Sequence, residues 1–260
     1  MSKEHVDGII LILSCQKHMH TRLKHFSLPK DNYGGWKVVY VIGDLFLDSD
    51  YKFEGNKMLV KCEDSYIHLL KKLVLSIKYL YEVHNIKEGV IRAGDDLVFN
   101  EENLLSFISM ENKPDYFGRC GVDPQIPNVI SSVIDMFMVN YYLTHQEDFS
   151  NPQHNLKGVN INTYVWRANV TRFAAGVVYF ISNASCKILV DHMENINFNI
   201  FHIDVDTQSY PYTIEDCAVG FILFKGGVEV THSPYMYTDL YLPGQPVIKN
   251  FIAGHTNLYK

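Results

Sequence analysis

Two neighbouring stretches decide the fold: Asp64-Ser-Tyr-Ile-His-Leu-Leu-Lys-Lys-Leu-Val-Leu-Ser-Ile-Lys-Tyr-Leu-Tyr-Glu-Val-His84 and, five residues on, Gly89-Val-Ile-Arg-Ala-Gly-Asp-Asp96. In the first, Ile67, Leu70, Val74, Ile77 and Tyr81 recur at spacings of three and four, with Lys71, Lys78 and Glu82 on other faces. That period predicts one amphipathic helix from Asp64 to about His84, with Asp64 and Ser65 as suitable N-caps. The second opens with a short apolar, β-branched run that reads as a buried strand. Gly8 to Leu13 and Trp36 to Ile42 read the same way. Strand, helix, strand in this order predicts an α/β fold with a mostly parallel sheet and a right-handed crossover. Ligands of such sheets gather at the carboxyl ends of the strands.

Outward from this core the sequence is less regular. An Asn-rich stretch runs from Asn151 to Asn162, followed by apolar runs at Ala174 to Ser182 and Val219 to Phe224. A mixed sheet with long functional loops is expected there. No repeat, low-complexity tract or linker divides the 260 residues. A single domain over 1–260 is expected, with a first part of about 1–120 and a second of about 121–260.

Hydrophobic residues make up 47% of the chain and charged ones 20%, enough apolar surface for a substantial core. The formal charge is 23 − 29 = −6, which argues against nucleic acid or an anionic membrane as partner. A phosphate ligand would then need local cations or a metal. The five cysteines are widely spaced without a CxxC pair, so neither a disulfide framework nor a zinc site is expected. The run Gly8–Leu13 is too short to span a bilayer, and no secretion signal precedes it, so a cytoplasmic location is expected. The sequons at Asn169 and Asn183 are then accidental matches. Walker, dinucleotide, zincin and serine-hydrolase motifs are absent. Aromatic residues number 34, an excess that asks for a use in stacking as well as in packing.

Paired carboxylates at a strand end suit Mg²⁺ or Mn²⁺, because adjacent negative charges are costly unless a cation lies between them. With 17 Asp in the chain, about one adjacent pair arises by chance, so Asp95-Asp96 gains meaning only from its position after a central strand. Glu215-Asp216 precedes a small, apolar segment fit to begin a buried helix. These acids are either dipole-favoured residues of a first turn or a general base. His232 either completes a metal site with Asp96 or is a hydrogen-bonded surface histidine. Lys17, His18, His20, Arg22 and Lys24 form a basic cluster able to meet phosphates, or a solvated loop.

Several segments, in order, resemble glycosyltransferase family 31, the β-1,3-galactosyl- and N-acetylglucosaminyltransferases and fringe proteins. Glu63-Asp64-Ser65-Tyr66-Ile67-His68-Leu69 with Lys72 is similar to the family's Asp-Ser-Tyr helix. Arg92-Ala-Gly-Asp-Asp-Leu-Val-Phe-Asn100 is similar to its Lys-x-Asp-Asp-Asp metal motif. Phe173-Ala-Ala-Gly-Val-Val-Tyr-Phe-Ile-Ser182 and Glu215-Asp216-Cys-Ala-Val-Gly220 resemble its two later segments. Thr21-Arg22-Leu23 and His232-Ser233 resemble the fringe branch more faintly. The resemblance implies a GT-A fold, a UDP-sugar donor, a glycan acceptor, Mn²⁺ or Mg²⁺, and inversion at the anomeric carbon. It implies Asp96 as metal-binding carboxylate with His232 as second ligand, Asp95 as a donor contact and Asp216 as catalytic base. Arg22, Asp64, Lys72, Arg92 and Glu215 are the further donor-pocket candidates, with a solvated helix lysine the competing role for Lys72 and a local ion pair that for Arg92.

The departures carry information too. Gly94 stands where the family has its first Asp, which puts donor identity in question. His68 replaces the helix Asn, and the membrane anchor of the Golgi members has no counterpart, as expected of a bacterial or large-DNA-virus enzyme. A glycan- or nucleotide-binding module without turnover and a nucleotide-sugar hydrolase are the alternatives. Tyr66, Phe99 and Tyr179 are expected in the core, and Trp166, Tyr235, Tyr237 and Tyr241 are candidates for stacking on uracil or sugar.

Overall fold

The computed structural model describes residues 3–26, 28–120, 132–168, 172–240 and 250–256. Its first strand, β1 (Glu4–Leu13), is buried along most of its length. Its second half, Gly8–Leu13, is an apolar run that fits a strand covered on both faces. Further along come β2 (Asn32–Tyr33), β3 (Trp36–Gly43), β4 (Tyr51–Glu54), β5 (Lys57–Val60), β6 (His84–Gly94), β7 (Leu97–Phe99) and β8 (Tyr116–Cys120). A short pair, β9 (Ser132–Ile134) and β10 (Trp166–Ala168), is followed by β11 (Ala174–Ser182), β12 (Thr231–His232), β13 (Tyr237–Asp239) and β14 (Ala253–His255). The helices are α1 (Arg22–Phe26), α2 (Leu69–Val83), α3 (Glu101–Ile108), α4 (Met136–Thr144), α5 (Ile161–Tyr164), α6 (Asn183–Asn195) and α7 (Glu215–Lys225).

The main sheet runs in the order β12-β8-β11-β6-β1-β3-β5-β4, with β2 beside β3. Strands β6, β1, β3 and β5 are parallel, as the strand-helix-strand pattern predicts. Strand β11 enters antiparallel between β6 and β8, and β8 and β12 are parallel to each other. The molecule is therefore mixed α/β, and strands from both halves of the sequence share one sheet.

Side chains alternate along β1. Ile9, Leu11 and Leu13 face a core built with α2, α6 and α7, whereas Ile10 and Ile12 face a second core with Trp36, Val38, Leu104 and Phe107. The predicted stripe of α2 is buried at Ile67, Leu70, Val74 and Ile77, with Tyr81 partly buried. Its start differs from expectation. A 3₁₀ turn, Tyr66–His68, comes first, and neither Asp64 nor Ser65 caps a helix with its side chain. Asp64 is engaged elsewhere, as described below. Among the described residues no helix is long and apolar enough to cross a membrane.

Candidate active site

From β1 the chain steps to β3 and β5 on one side, then returns to β6 on the other. A crevice opens where a parallel sheet reverses direction in this way, beyond the carboxyl ends of the strands involved. Here those ends deliver Ser14 after β1 and Asp95-Asp96 after β6. Four donor contacts from three side chains converge on the acidic pair. Ser14 Oγ donates to Asp95 Oδ2 at 2.7 Å, His18 Nδ1 lies 2.8 Å from the same oxygen, and Arg22 Nη1 reaches Asp95 Oδ1 at 3.0 Å and Asp96 Oδ2 at 3.4 Å. Burial works to raise the Asp95 pKa, but the His18 and Ser14 hydrogen bonds and the Arg22 charge outweigh it and hold the carboxyl below its ordinary value. For His18, burial opposes the charge, yet Asp95 pushes its pKa up to about 9. Two members of the basic cluster thus face inward, while Lys17, His20 and Lys24 are exposed.

Asp96 is the more open of the pair. Its carboxylate lies 3.5 Å from His255 Nε2, and its carbonyl accepts the Thr256 N–H at 3.0 Å. The histidine comes from a small sheet in which β14 lies between β13 and β7. Sequence reasoning missed His255, because a three-residue strand carries no periodic signal.

The predicted partner, His232, lies elsewhere. Its register runs through Gly118 and Tyr179 to Arg92, three strand spacings or about 14 Å across the sheet. Exposed on β12, it accepts the Cys120 N–H at Nδ1 over 3.0 Å. The hydrogen-bonded surface reading holds for His232, and the histidine beside Asp96 is His255.

The second acidic pair opens α7 at the same end of the sheet. Arg92, 3% exposed on β6, places Nη2 2.7 Å from Glu215 Oε2 and also donates to the Gly176 carbonyl. Tyr179 donates its hydroxyl to the other Glu215 oxygen. Glu215 and Arg92 are thereby engaged with each other in a buried pair, which is the local ion pair weighed for Arg92, while Arg92 Nε is buried without a hydrogen-bond partner. Asp216 remains partly accessible, its Oδ2 accepting the Gly176 N–H at 2.9 Å and its Oδ1 the Cys217 N–H at 2.8 Å. Burial raises the pKa of both acids despite these partners. The approach of β11 to α7 needs small residues. A Cβ on Gly176 would lie 3.2 Å from Glu215 Oε2, and one on Gly220 would strike Phe173 Cβ at 2.6 Å.

Asp64 and Lys72 form a third cluster, which is structural. Lys72 is 1% exposed, which corrects its reading as a solvated lysine. Its ammonium donates to Asp64 Oδ1 at 2.6 Å and to the Ser14 carbonyl at 2.7 Å. Asp64 also accepts the N–H groups of Gly43 and Gln16 at 2.9 and 2.7 Å. With both oxygens engaged, Asp64 ties together the ends of β1 and β3.

Among the aromatics, Tyr179 is buried and Phe99 partly so. Tyr66 is 36% exposed against Tyr141, centroids 4.9 Å apart, and so is not the core residue expected. Trp166 is half-buried on β10, Tyr235 is 55% exposed, and Tyr237 lies under Arg119 at 4.7 Å. Tyr241 and the Asn169 sequon fall outside the described residues.

The donor atoms beside Asp96 suit a divalent cation. Asp96 supplies an oxygen and His255 Nε2 a nitrogen, and the opposite ring nitrogen, Nδ1, lies 3.0 Å from Asp239 Oδ1. A carboxylate on the far nitrogen is the usual companion of a metal-binding imidazole. Mg²⁺-type sites draw the rest of their shell from water and substrate phosphates, so two protein ligands fit. Among the described residues no group of three or more acidic, His or Cys side chains forms a closed cage. No family model matches the chain, and no curated protein is similar enough to it to count as a relative.

Proposed function

We propose that the protein is a GT-A type, inverting glycosyltransferase that moves a sugar from a UDP-sugar to a glycan hydroxyl with the aid of Mn²⁺ or Mg²⁺. One observation carries this reading: the Arg92–Glu215 pair joins the strand that leads into Asp95-Asp96 to the helix opening with Asp216, so two acidic pairs 120 residues apart are borne by elements in direct contact. A nucleotide-binding half and a base-bearing half meet there, as a two-substrate transfer requires.

Asp96 and His255 hold the cation in this reading, which when bound neutralises the diphosphate leaving group. Arg22, in contact with both Asp95 and Asp96, adds a fixed positive charge toward the same phosphates. Asp216 takes the proton from the acceptor hydroxyl as its oxygen bonds to the anomeric carbon and the bond to the diphosphate breaks. Burial makes this carboxylate more basic than a solvated one, and the N–H groups of Gly176 and Cys217 orient it. Asp95 is assigned the charge and orientation of His18 and Arg22, because its oxygens are already engaged.

Gly94 favours a second reading, a nucleotide-sugar-binding module without turnover, since one carboxylate fewer faces the donor. Thermal-shift measurements with a panel of nucleotide sugars, with and without Mn²⁺, test the first reading. Stabilisation by one donor, dependent on Mn²⁺, is the expected result, followed by UDP release that requires an acceptor. Donor-specific stabilisation without any release under a broad acceptor panel would select the second reading.

A further inference from the structure

A chain of side chains runs outward from Asp96. His255 Nε2 faces Asp96, His255 Nδ1 lies 3.0 Å from Asp239 Oδ1, and Asp239 Oδ2 lies 3.6 Å from Arg119 Nη1. Arg119 is itself placed by Tyr237, whose carbonyl accepts from Nη1 at 3.4 Å and whose ring lies 4.7 Å from the guanidinium carbon. The four residues come from three separate parts of the chain: the end of β8, strand β13, and strand β14. A carboxylate accepts but does not donate, so the ring nitrogen facing Asp239 is an N–H. Nε2 faces a carboxylate as well, so in the metal-free protein both ring nitrogens point N–H groups at acceptors; a cation beside Asp96 would take the place of the Nε2 proton while Nδ1–H stays on Asp239.

We propose that Asp239 is a positioning residue of a divalent-cation site, holding His255 in the tautomer and orientation that present Nε2 beside Asp96, with Arg119 holding Asp239. The inference rests on the cation reading given above. Three features set it apart from an ordinary surface ion pair. The contacts to Asp239 form a directed series, not a cluster. The parallel pairing of β13 with β14 places Asp239 opposite His255 in register, so backbone hydrogen bonds fix their separation. The antiparallel pairing of β14 with β7 sets His255 opposite Leu97, the residue that follows Asp96. The small sheet is therefore a bracket that brings ligand and orienting carboxylate to the acidic pair.

The test is Mn²⁺ affinity of the full chain, measured by calorimetry or electron paramagnetic resonance in the presence of UDP. Loss of one orienting carboxylate weakens such sites by about 10–100-fold, and this is the effect expected of D239A. D239N keeps an acceptor for the imidazole N–H and should lose less; it also serves if the alanine variant fails to fold. The double variant D239A/H255A should bind no more weakly than H255A, because Asp239 acts only through the ring. Affinity within about twofold of wild type in both Asp239 variants, or additive losses in the double variant, would overturn the proposal. A wild-type protein that takes up no Mn²⁺ would instead overturn the cation reading itself. In the metal-free protein, the ¹⁵N shift of His255 Nδ1 should report the lost hydrogen bond in D239A, and an unchanged ring spectrum would remove Asp239 from the role regardless of metal.

Discussion

The Arg92 guanidinium and the Glu215 carboxylate meet at 2.7 Å across a sequence separation of 123 residues, with the Tyr179 hydroxyl on the other carboxylate oxygen. Both side chains are only 4% exposed. Removing one partner leaves an uncompensated buried charge, which costs about 3–5 kcal/mol. R92L and E215L should each lose about that much stability in urea unfolding, whereas R92L/E215L should lose much less than the sum. Additive losses would show that the two groups are not a pair.

Asp216 is next in sequence to Glu215 but differs from it in access. D216N keeps the shape and one of the two oxygens that accept the Gly176 and Cys217 N–H groups, and removes the proposed base. Transfer should fall by roughly 10²-fold or more with UDP affinity retained. Near-normal turnover of purified D216N would take the proton-abstraction role away from this residue.

His18 makes stability depend on pH on the alkaline side. Its pKa is raised from 6.5 to about 9 in the folded protein, so the fold binds this proton more tightly than the unfolded chain does. The stabilisation is complete below pH 6.5 and is lost as pH rises through about 9. Wild-type protein should therefore soften by up to a few kcal/mol over that window, and H18Q should show a flatter profile. Parallel profiles for the two proteins would dissociate His18 from Asp95.

Gly220 lies where α7 meets the start of β11. A methyl group there would strike Phe173 Cβ at 2.6 Å and the Arg172 carbonyl at 3.2 Å. Backbone on one side cannot yield cheaply, so G220A should destabilise by about 1–3 kcal/mol. The readout is the thermal midpoint, and an unchanged midpoint would mean that helix and strand are free to separate.

Much of this architecture was legible in the sequence for simple reasons. Runs such as Gly8–Leu13 and Trp36–Ile42 are apolar on both faces, which only a covered strand tolerates. The helix between strands announced itself through a single period. The strand Ala174–Ser182 was visible as an apolar run, but its direction was not, because alternation says nothing about which way a strand runs. Lys72 and Asp64 were misread for a related reason. Their burial depends on Ser14, Gln16 and Gly43, which reach them only through tertiary contacts. His255 escaped notice because its strand is three residues long and its partner Asp96 lies 159 positions away. Charge and spacing located the acidic pairs; only the sheet order revealed what faces them.

The insertion of β11 between β6 and β8 also fixes an order of events during synthesis. Strand β6 can pair with β1 once residue 94 has been made, and β8 is complete by residue 120, yet the edges of β6 and β8 that flank β11 stay open until residues 174–182 emerge. Over that interval the nascent chain carries two apolar edges with unpaired N–H and C=O groups, the kind of template that recruits other chains. Closing the gap requires contacts distant in sequence, so it is a slow step. Because Gly176 and Tyr179 orient Asp216 and Glu215, the strand that seals the sheet is also the one that readies the second acidic pair. A nascent chain stalled before residue 174 should aggregate rather than accumulate as a half-active fragment.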